Sequence, residues 1–178
     1  MSILNRAVFL DRDGVINKAS VRDGLPYPPK DLSELEIIAG VREALSELHS
    51  SNYLLIVITN QPDVARGTAK KEDIENINNY LFSQLPLDGF QTCYHDDLDN
   101  CVCRKPKPGA LLEASTFYNI DLKKSFMVGD RWRDIAAGAS AGCTTIFIDY
   151  CYNERKPNSP GYTVKSLSEA THIILESI

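Results

Sequence analysis

The segment Ala7-Val-Phe-Leu-Asp-Arg-Asp-Gly14 joins a short apolar run directly to two carboxylates and a glycine. Such a run predicts a strand buried on both faces that ends at a polar site, as in a parallel sheet covered by helices. Similar apolar runs alternate with helix-period segments along the chain, which predicts an α/β fold with a doubly wound, Rossmann-like parallel sheet. The predicted strands are 7–10, 53–59, 90–94, 125–128 and 144–148.

Five helices are predicted between these strands. The first two carry apolar residues at helical spacing, namely Val41, Ala44, Leu45 and Leu48, then Ile74, Ile77, Leu81 and Leu85. A third begins at Pro108, which suits a first turn, and a fourth covers 131–141 and ends at Gly142. Ser166 and Glu169 have the spacing of a capping box for the last helix. Two proline-containing stretches are predicted to be loops: 18–31 and 153–161.

Length and charge exclude several classes of protein. The chain has 178 residues, 19 Lys and Arg against 24 Asp and Glu, and a net charge of -5. This balance argues against phosphate neutralisation on a nucleic acid, and no apolar run approaches the ~20 residues that span a bilayer. Residues 1–10 lack a secretory pattern. We therefore expect a cytoplasmic, monomeric protein with a single domain over residues 1–178 and no nucleic-acid or membrane partner.

Asp11 and Asp13 are the first candidates for chemistry. Two carboxylates just past a buried strand are costly unless a cation lies between them. Phosphoryl transfer with Mg²⁺ uses this spacing, since one carboxylate attacks phosphorus and the other handles the proton of the leaving oxygen. Gly14 permits the tight turn that would bring both back over the strand end. A solvated acidic turn or a helix cap is the alternative interpretation.

Other polar residues follow the ends of neighbouring predicted strands. Thr59-Asn-Gln61 supplies a hydroxyl and backbone N–H groups that could hold phosphoryl oxygens, although the same residues are common in turns. Asp130 and Asp134 follow a later strand, where acidic residues also stabilise a helix start. The run Arg104-Lys-Pro-Lys-Pro108 places positive charge before a helix, although basic runs are usually solvated. These strand ends are expected to meet at one edge of the sheet.

Four metal-ligand residues lie within eleven positions: Cys93, His95, Cys101 and Cys103. This set is typical of a closed, structural Zn²⁺ site, which would pin the intervening loop 96–100. In the alternative interpretation, Cys93 is a small buried hydrophobe and His95 a surface residue. Cys143 lies beside a strand and is expected in the core.

Four ordered motifs then resemble the haloacid dehalogenase-like superfamily of phosphatases: 9–17, 58–61, 104–109 and 128–134. The resemblance implies that Asp11 is a nucleophile forming an aspartyl-phosphate and that Asp13 acts as acid and then as base. It implies that Thr59 and Lys105 steady the transferring phosphoryl group. It also implies that Mg²⁺ is held by Asp11, the backbone carbonyl of Asp13, and Asp130.

The zinc-ligand pattern followed by Arg104-Lys-Pro106 resembles a cap-less branch of this superfamily with an active site open to solvent. That branch contains heptose bisphosphate phosphatases and histidinol-phosphate phosphatases. The resemblance favours removal of the 7-phosphate of D-glycero-D-manno-heptose 1,7-bisphosphate, for ADP- or GDP-heptose precursors of lipopolysaccharide or surface polysaccharide. Histidinol-phosphate hydrolysis is the alternative, supported by the five-residue loop 96–100. The predicted substrate-binding residues are Arg12, Asn60, Gln61, Arg104 and Arg131.

Three further residues could either contact a ligand or have only a structural role, and they are not assigned to the catalytic set: Arg66, Arg133 and Asp134. Three other functions remain as alternatives. A receiver-type signalling domain would also accept phosphate on an aspartate, but it would need neither Asp13 nor the zinc ligands. A nucleic-acid 3'-phosphatase shares the motifs but suits an acidic chain poorly. A zinc-dependent binding module would lose nothing on Asp11→Asn substitution.

Overall fold

The computed structural model describes residues 4–177 and has a six-stranded parallel sheet at its centre. The strand order is β5-β4-β1-β6-β7-β8, so β1, with the two aspartates behind it, lies between β4 and β6. The strands are β1 (Arg6–Leu10), β2 (Ser20–Arg22), β3 (Leu25–Tyr27), β4 (Tyr53–Asn60), β5 (Gly89–Cys93), β6 (Phe126–Gly129), β7 (Thr144–Ile148) and β8 (Tyr162–Val164). The helices are α1 (Val41–Ser50), α2 (Lys71–Gln84), α3 (Gly109–Phe117), α4 (Trp132–Ala141) and α5 (Leu167–Glu176).

Alternation along the central strands divides the core into two layers. In β1, Val8 and Leu10 pack with α1, α2 and α5, whereas Ala7 and Phe9 pack with α3 and α4. All four side chains are fully buried, as expected for a strand covered on both faces. The predicted α/β, doubly wound class is therefore confirmed. Within the described residues, no cap domain covers the strand ends, and no helix is both long and apolar enough to cross a bilayer.

The prediction that 18–31 is wholly a loop is wrong. Strands β2 and β3 form an antiparallel hairpin in which Arg22 pairs with Leu25. Its two-residue turn is Asp23-Gly24, with φ of 51° and 76°. Positive φ at both positions is the requirement of a type I′ hairpin turn, for which Asp-Gly is favoured. The three-residue edge strand β8 was not predicted, whereas 153–161 is a loop as predicted.

Helix ends agree with the predicted signals to within one residue. Pro108 lies at the N-cap of α3 rather than in its first turn, and Gly142 ends α4 with φ of 92°. The Ser166 hydroxyl accepts from the Glu169 N–H at 3.2 Å, but the Glu169 carboxylate accepts from the N–H of Lys165 instead of Ser166. Only one of the two hydrogen bonds of the predicted capping box is therefore present at the start of α5.

Candidate active site

The carboxyl ends of β1, β4 and β6 meet at one edge of the sheet. Asp11 directly follows β1, Thr59 lies near the end of β4, and Asp130 directly follows β6. The backbone keeps this register beyond the strands, because the Asp11 N–H donates to the Val128 carbonyl at 3.0 Å. Parallel neighbours therefore bring these polar side chains together, as the fold class predicts.

Lys105 links the carboxylates of this edge. Its Nζ lies 2.8 Å from Asp11 Oδ1 and 2.7 Å from Asp134 Oδ1, and it also donates to the Ile58 carbonyl at 2.6 Å. Burial alone would lower the lysine pKa, but Asp11 and Asp134 outweigh burial and raise it. Lys105 is therefore a fixed positive charge beside the candidate nucleophile.

The positive charge of Lys105 is not enough to balance the negative charge around Asp11. Besides Lys105, its Oδ1 accepts from the Arg12 backbone N–H at 2.8 Å. Burial, and then the nearby Asp134 carboxylate, raises the Asp11 pKa to about 7 in spite of Lys105. A carboxylate in this position needs further positive charge to stay ionised at neutral pH.

The surroundings of Asp130 indicate where this additional positive charge would bind. Both its carboxylate oxygens are buried and lack a partner with good hydrogen-bond geometry among the described residues, although the nearby Tyr152 hydroxyl lowers the Asp130 pKa. Burial, and then Asp11 and Asp134, raises the Asp130 pKa well above its usual range. Oxygens of Asp11, Asp130 and Asp134 lie within 4.8 Å of one another. Clustered carboxylate oxygens are the ligands of Mg²⁺, so these residues fit a divalent cation.

Asp13 is oriented by three side chains. Its two carboxylate oxygens accept from the Arg12 guanidinium at 3.0–3.1 Å, from Asn17 Nδ2 at 3.0 Å and from Gln61 Nε2 at 2.8 Å. The Arg12 guanidinium also donates to Asn78 Oδ1 at 2.9 Å. Arg12 is fully buried, so this network fixes Asp13 beside Asp11 from behind.

A cavity of 310 Å³ opens over these groups. One wall comes from the β2–β3 hairpin, which contributes Leu25 and Tyr27, and the opposite wall from the segment around Arg104. The charged lining residues are Asp11, Asp13, Asp63, Asp97, Asp134, Arg66, Arg104, Lys105, Arg131 and Arg133. A small cavity with converging charges of both signs suits an anionic ligand that also meets a cation.

The four predicted zinc ligands converge in the same region. Cys103 Sγ lies 3.2 Å from Cys93 Sγ, 3.5 Å from Cys101 Sγ and 3.4 Å from His95 Nδ1. Tetrahedral zinc, with Zn–S near 2.3 Å and Zn–N near 2.0 Å, separates its ligand atoms by roughly 3.5–3.8 Å. Burial raises the Cys93 pKa to about 12, so its thiolate needs a cation. The cluster therefore fits a closed zinc site.

Comparisons with known proteins agree with this geometry. The family model described as HAD-hydrolase-like matches residues 102–170. The D-glycero-beta-D-manno-heptose-1,7-bisphosphate 7-phosphatase of Helicobacter pylori is 40% identical over 143 residues, covering 77% of this chain and 79% of that protein. The D-glycero-alpha-D-manno-heptose-1,7-bisphosphate 7-phosphatase of Campylobacter jejuni is 33% identical over 96% of both proteins. The crystal structure of the D,D-heptose 1,7-bisphosphate phosphatase from B. bronchiseptica, complexed with magnesium and phosphate, has a TM-score of 0.83 at 27% identity, covering 97% of this chain and 99% of that one.

The chain belongs to the haloacid dehalogenase-like phosphatases.

Membership of these phosphatases confirms the resemblance predicted from the four motifs. The structure brings most of the predicted site residues to one edge: Asp11, Asp13, Asn60, Arg104, Lys105 and Arg131 line the cavity, with Thr59 and Asp130 beneath it. Asn60 clamps the Lys105 backbone, accepting from its N–H at 3.1 Å and donating to its carbonyl at 2.9 Å.

Arg12 and Gln61 differ from the other predicted substrate-binding residues. Neither lines the cavity; both are buried, and both donate to Asp13. The structure thus places them as supports of a site residue rather than at a surface that a ligand reaches. Arg131 does line the cavity, but its guanidinium is paired with Glu154, and this pairing raises the Arg131 pKa.

Asp134, which was left out of the predicted catalytic set, lies at the same edge of the sheet. Its carboxylate is buried, accepts from the Arg131 N–H at 2.9 Å and pairs with Lys105. The available signal was its position in the first turn of a helix directly after a strand end, where a carboxylate accepts from the helix N-terminus. Arg66 and Arg133, also left out, line the cavity.

Proposed function

We propose that this chain removes the 7-phosphate of D-glycero-D-manno-heptose 1,7-bisphosphate, releasing heptose 1-phosphate and inorganic phosphate. The observation that supports this most is that curated relatives with 33–40% identity over 77–96% of the chain carry this activity in their names. The product would supply ADP- or GDP-heptose for lipopolysaccharide or surface polysaccharide. Histidinol-phosphate hydrolysis remains the competing substrate choice, because the loop between the zinc-ligand pairs has five residues.

In the first step, an Asp11 carboxylate oxygen attacks phosphorus and the bond from phosphorus to the C7 oxygen breaks. Lys105, 2.8 Å from Asp11, favours the ionised form of that carboxylate and steadies the phosphoryl oxygens. Thr59, at the end of β4, offers a second contact to those oxygens. Asp13 gives its proton to the departing C7 oxygen, so that oxygen leaves as the neutral hydroxyl group of heptose 1-phosphate.

In the second step, Asp13 takes a proton from water, and the water oxygen attacks the aspartyl-phosphate. The bond between phosphorus and Asp11 breaks, which restores the Asp11 carboxylate and releases phosphate. The hydrogen bonds from Arg12, Asn17 and Gln61 keep Asp13 in one place for both proton transfers. Arg12 and Gln61 act through Asp13, whereas Asn60, Arg104 and Arg131 meet the substrate in the cavity.

Two metals belong to this proposal. Asp11, the backbone carbonyl of Asp13, and Asp130 would hold Mg²⁺, which screens the charge between nucleophile and phosphate when bound. The orphaned carboxylate of Asp130 supports this assignment. Cys93, His95, Cys101 and Cys103 would hold structural Zn²⁺, which fixes the loop that carries Asp97 and precedes Arg104.

We further propose that the chain acts as one phosphatase domain over residues 1–178, of which 1–3 and 178 lie outside the described residues. In this proposal the chain is a monomer. A cytoplasmic location, and the lack of nucleic-acid or membrane partners, accord with a small phosphorylated substrate and a net charge of -5.

The test is phosphate release by zinc-replete protein with Mg²⁺. Both anomers of heptose 1,7-bisphosphate and histidinol phosphate are compared, with Asp11→Asn as the blank. We expect kcat/KM for one heptose anomer to exceed that for histidinol phosphate by at least ~100-fold, about 2.7 kcal/mol of transition-state discrimination. A preference for histidinol phosphate would overturn the substrate, and an Asp11→Asn variant as active as wild type would overturn the mechanism.

A further inference from the structure

Asp97, on the loop between the zinc-ligand pairs, lies between two arginines from different parts of the chain. Its Oδ1 accepts from Arg104 Nε at 2.9 Å and lies 3.3 Å from Arg133 Nη1. The second oxygen is 3.5 Å from Arg133 Nη2. The Arg104 hydrogen bond lowers the Asp97 pKa most, burial opposes it, and the charges of both arginines lower the pKa further. One carboxylate therefore gathers two guanidinium groups on one wall of the cavity.

The Arg104 guanidinium is only partly used by this contact. Arg104 is 8% exposed, yet its Nη1 is buried and has no hydrogen-bond partner among the described residues. Asp97 takes Nε, which leaves Nη1 for another acceptor. A guanidinium N–H bonded to a phosphate oxygen forms a charge-assisted hydrogen bond, which is stronger than a neutral one. A buried cation with an unpaired donor beside a cavity points to an anionic ligand.

Arg133 is placed over the same cavity by the aromatic ring beside it. Its guanidinium lies 4.8 Å from the centre of the Trp132 ring, and the side chain lines the cavity with Arg104 and Asp11. Its bonds to Asp97 are long, so the contact orients the group without saturating its donors. Trp132 and Asp97 thus leave Arg133 extended toward the cavity and available.

The other two cavity arginines are already occupied. Arg66 makes two hydrogen bonds to Asp96, at 2.9 and 2.7 Å, and Arg131 is paired with Glu154 through both Nε and Nη2. Arg104, whose Nη1 has no partner among the described residues, and Arg133, whose contacts to Asp97 are long, are therefore the less firmly paired arginines of the cavity. Both line the cavity that contains the candidate nucleophile, so an anion between them would belong to the same bound substrate.

From this arrangement we propose that Arg133 acts with Arg104 as a specificity residue that binds the phosphate which is not hydrolysed, and that Asp97 positions the two. The inference rests on the proposed function, because the 1-phosphate of heptose 1,7-bisphosphate is that second anion. Lys105 and Asp11 act on the 7-phosphate, while Arg133 recognises the other end of the sugar. Arg133 takes no part in bond making, so it affects substrate capture rather than the chemical step.

The test compares Arg133→Gln with Arg155→Gln. Arg155 is the matched control, since its guanidinium also lies on the Trp132 ring, at 4.5 Å, but its side chain is not in the cavity lining. Each variant is assayed with heptose 1,7-bisphosphate and with heptose 7-phosphate, which lacks the second anion. For Arg133→Gln we expect the KM of the bisphosphate to rise about 10-fold, with kcat and the KM of the monophosphate unchanged.

Arg133→Lys should recover part of the loss, and Asp97→Asn should raise the bisphosphate KM without changing that of the monophosphate. Arg155→Gln should match wild type on both substrates. An unchanged bisphosphate KM in Arg133→Gln, or an equal rise for both substrates, would overturn the inference while leaving the proposed function in place. If wild type hydrolyses neither heptose phosphate, the proposed function fails first and the inference falls with it.

Discussion

At the residue scale, the site depends on one buried cation between two acids. Lys105 is 1% exposed and pairs with Asp11 and Asp134. Removing one partner of a buried pair leaves charge that neither water nor protein compensates. The same lysine therefore contributes to the stability of the fold and to the ionisation of the nucleophile.

We expect Lys105→Met to lower the free energy of unfolding by about 3–5 kcal/mol, since Asp11 and Asp134 would then face each other without a counter-charge. Phosphate release should also fall sharply. Urea denaturation measures the first effect, and Lys124→Met, on an exposed lysine, serves as the control. Equal stability of the two variants would contradict the role assigned to Lys105.

Gly14 is the second residue on which the site depends. Its φ is 91°, and a Cβ added there would lie 2.0 Å from Asp130 Oδ2. Gly142 has φ of 92°, but a Cβ there would meet nothing within 4 Å. The two glycines share the same backbone demand, and only Gly14 crowds the carboxylate that fits the metal.

Gly14→Ala and Gly142→Ala should each cost about 1–2 kcal/mol of stability, because an alanine is strained at positive φ. Gly14→Ala alone should raise the Mg²⁺ concentration for half-maximal activity, by about 10-fold or more, since Asp130 must move. A Mg²⁺ titration of phosphate release in both variants measures this. Identical Mg²⁺ dependence in the two would show that Gly14 acts through the backbone alone.

At the element scale, residues 93–103, called here the zinc loop, connect the end of β5 with the start of α3. Cys93 ends the strand, Cys103 precedes Arg104, and Asp97 lies on the short helical turn between them. That turn buries none of its own residues, so no packing holds it in place. Its position relative to the cavity therefore depends on the four candidate zinc ligands, on the arginines that meet Asp97, and on the contacts of Arg66 with Asp96 and of Lys107 with Asn100.

We expect Cys101→Ser to lose most of its zinc, because a structural site needs all four ligands. The KM for the bisphosphate should rise by a larger factor than kcat falls, because the loop carries Asp97. Metal analysis of purified protein provides the measurement. Cys151→Ser, at an exposed cysteine outside the cluster, should keep its zinc. Full zinc content in Cys101→Ser would rule out this ligand set.

At the scale of the whole molecule, the metal-free fold carries a cluster of acids that prefers to be protonated. Burial, with Asp134 next, raises the Asp11 pKa from 3.8 to about 7, and Asp130 is raised as well. The folded protein therefore binds more protons here than the unfolded chain. Its stability is largest below about pH 4 for these groups and declines as pH rises toward 7.

Without Mg²⁺, the melting temperature should fall between pH 5 and pH 7.5, and added Mg²⁺ should raise it more at pH 7.5 than at pH 5, because only ionised carboxylates bind the ion. Asp96, whose pKa is lowered to about 2 by Arg66, titrates below this pH range and does not contribute to the decline. Thermal melts of wild type and Asp11→Asn measure the effect, and the variant should show a smaller decline. A Mg²⁺ stabilisation independent of pH would contradict it.

Local signals predicted the main elements well. The five strands and five helices were recognisable because apolar spacing reports directly on which faces are buried, and Gly142 marked a helix end with its positive φ. The hairpin β2–β3 was not predicted although Asp23-Gly24 is a favoured turn, because β3 contains Pro26 and proline is rare inside strands. β8 was missed because a three-residue edge strand carries little periodicity.

Short contiguous motifs in the sequence were enough to predict the family, the polar residues behind each strand and the Cys and His residues that would hold zinc. Tertiary structure decided which side chains meet: Lys105 reaches Asp11 across 94 positions, and Arg133 reaches Asp97 across 36. It also turned Arg12 inward to Asp13 and Asn78 rather than toward the cavity. Local spacing encodes periodicity and burial, whereas the pairing of charges depends on how α4 and the zinc loop pack over the sheet edge.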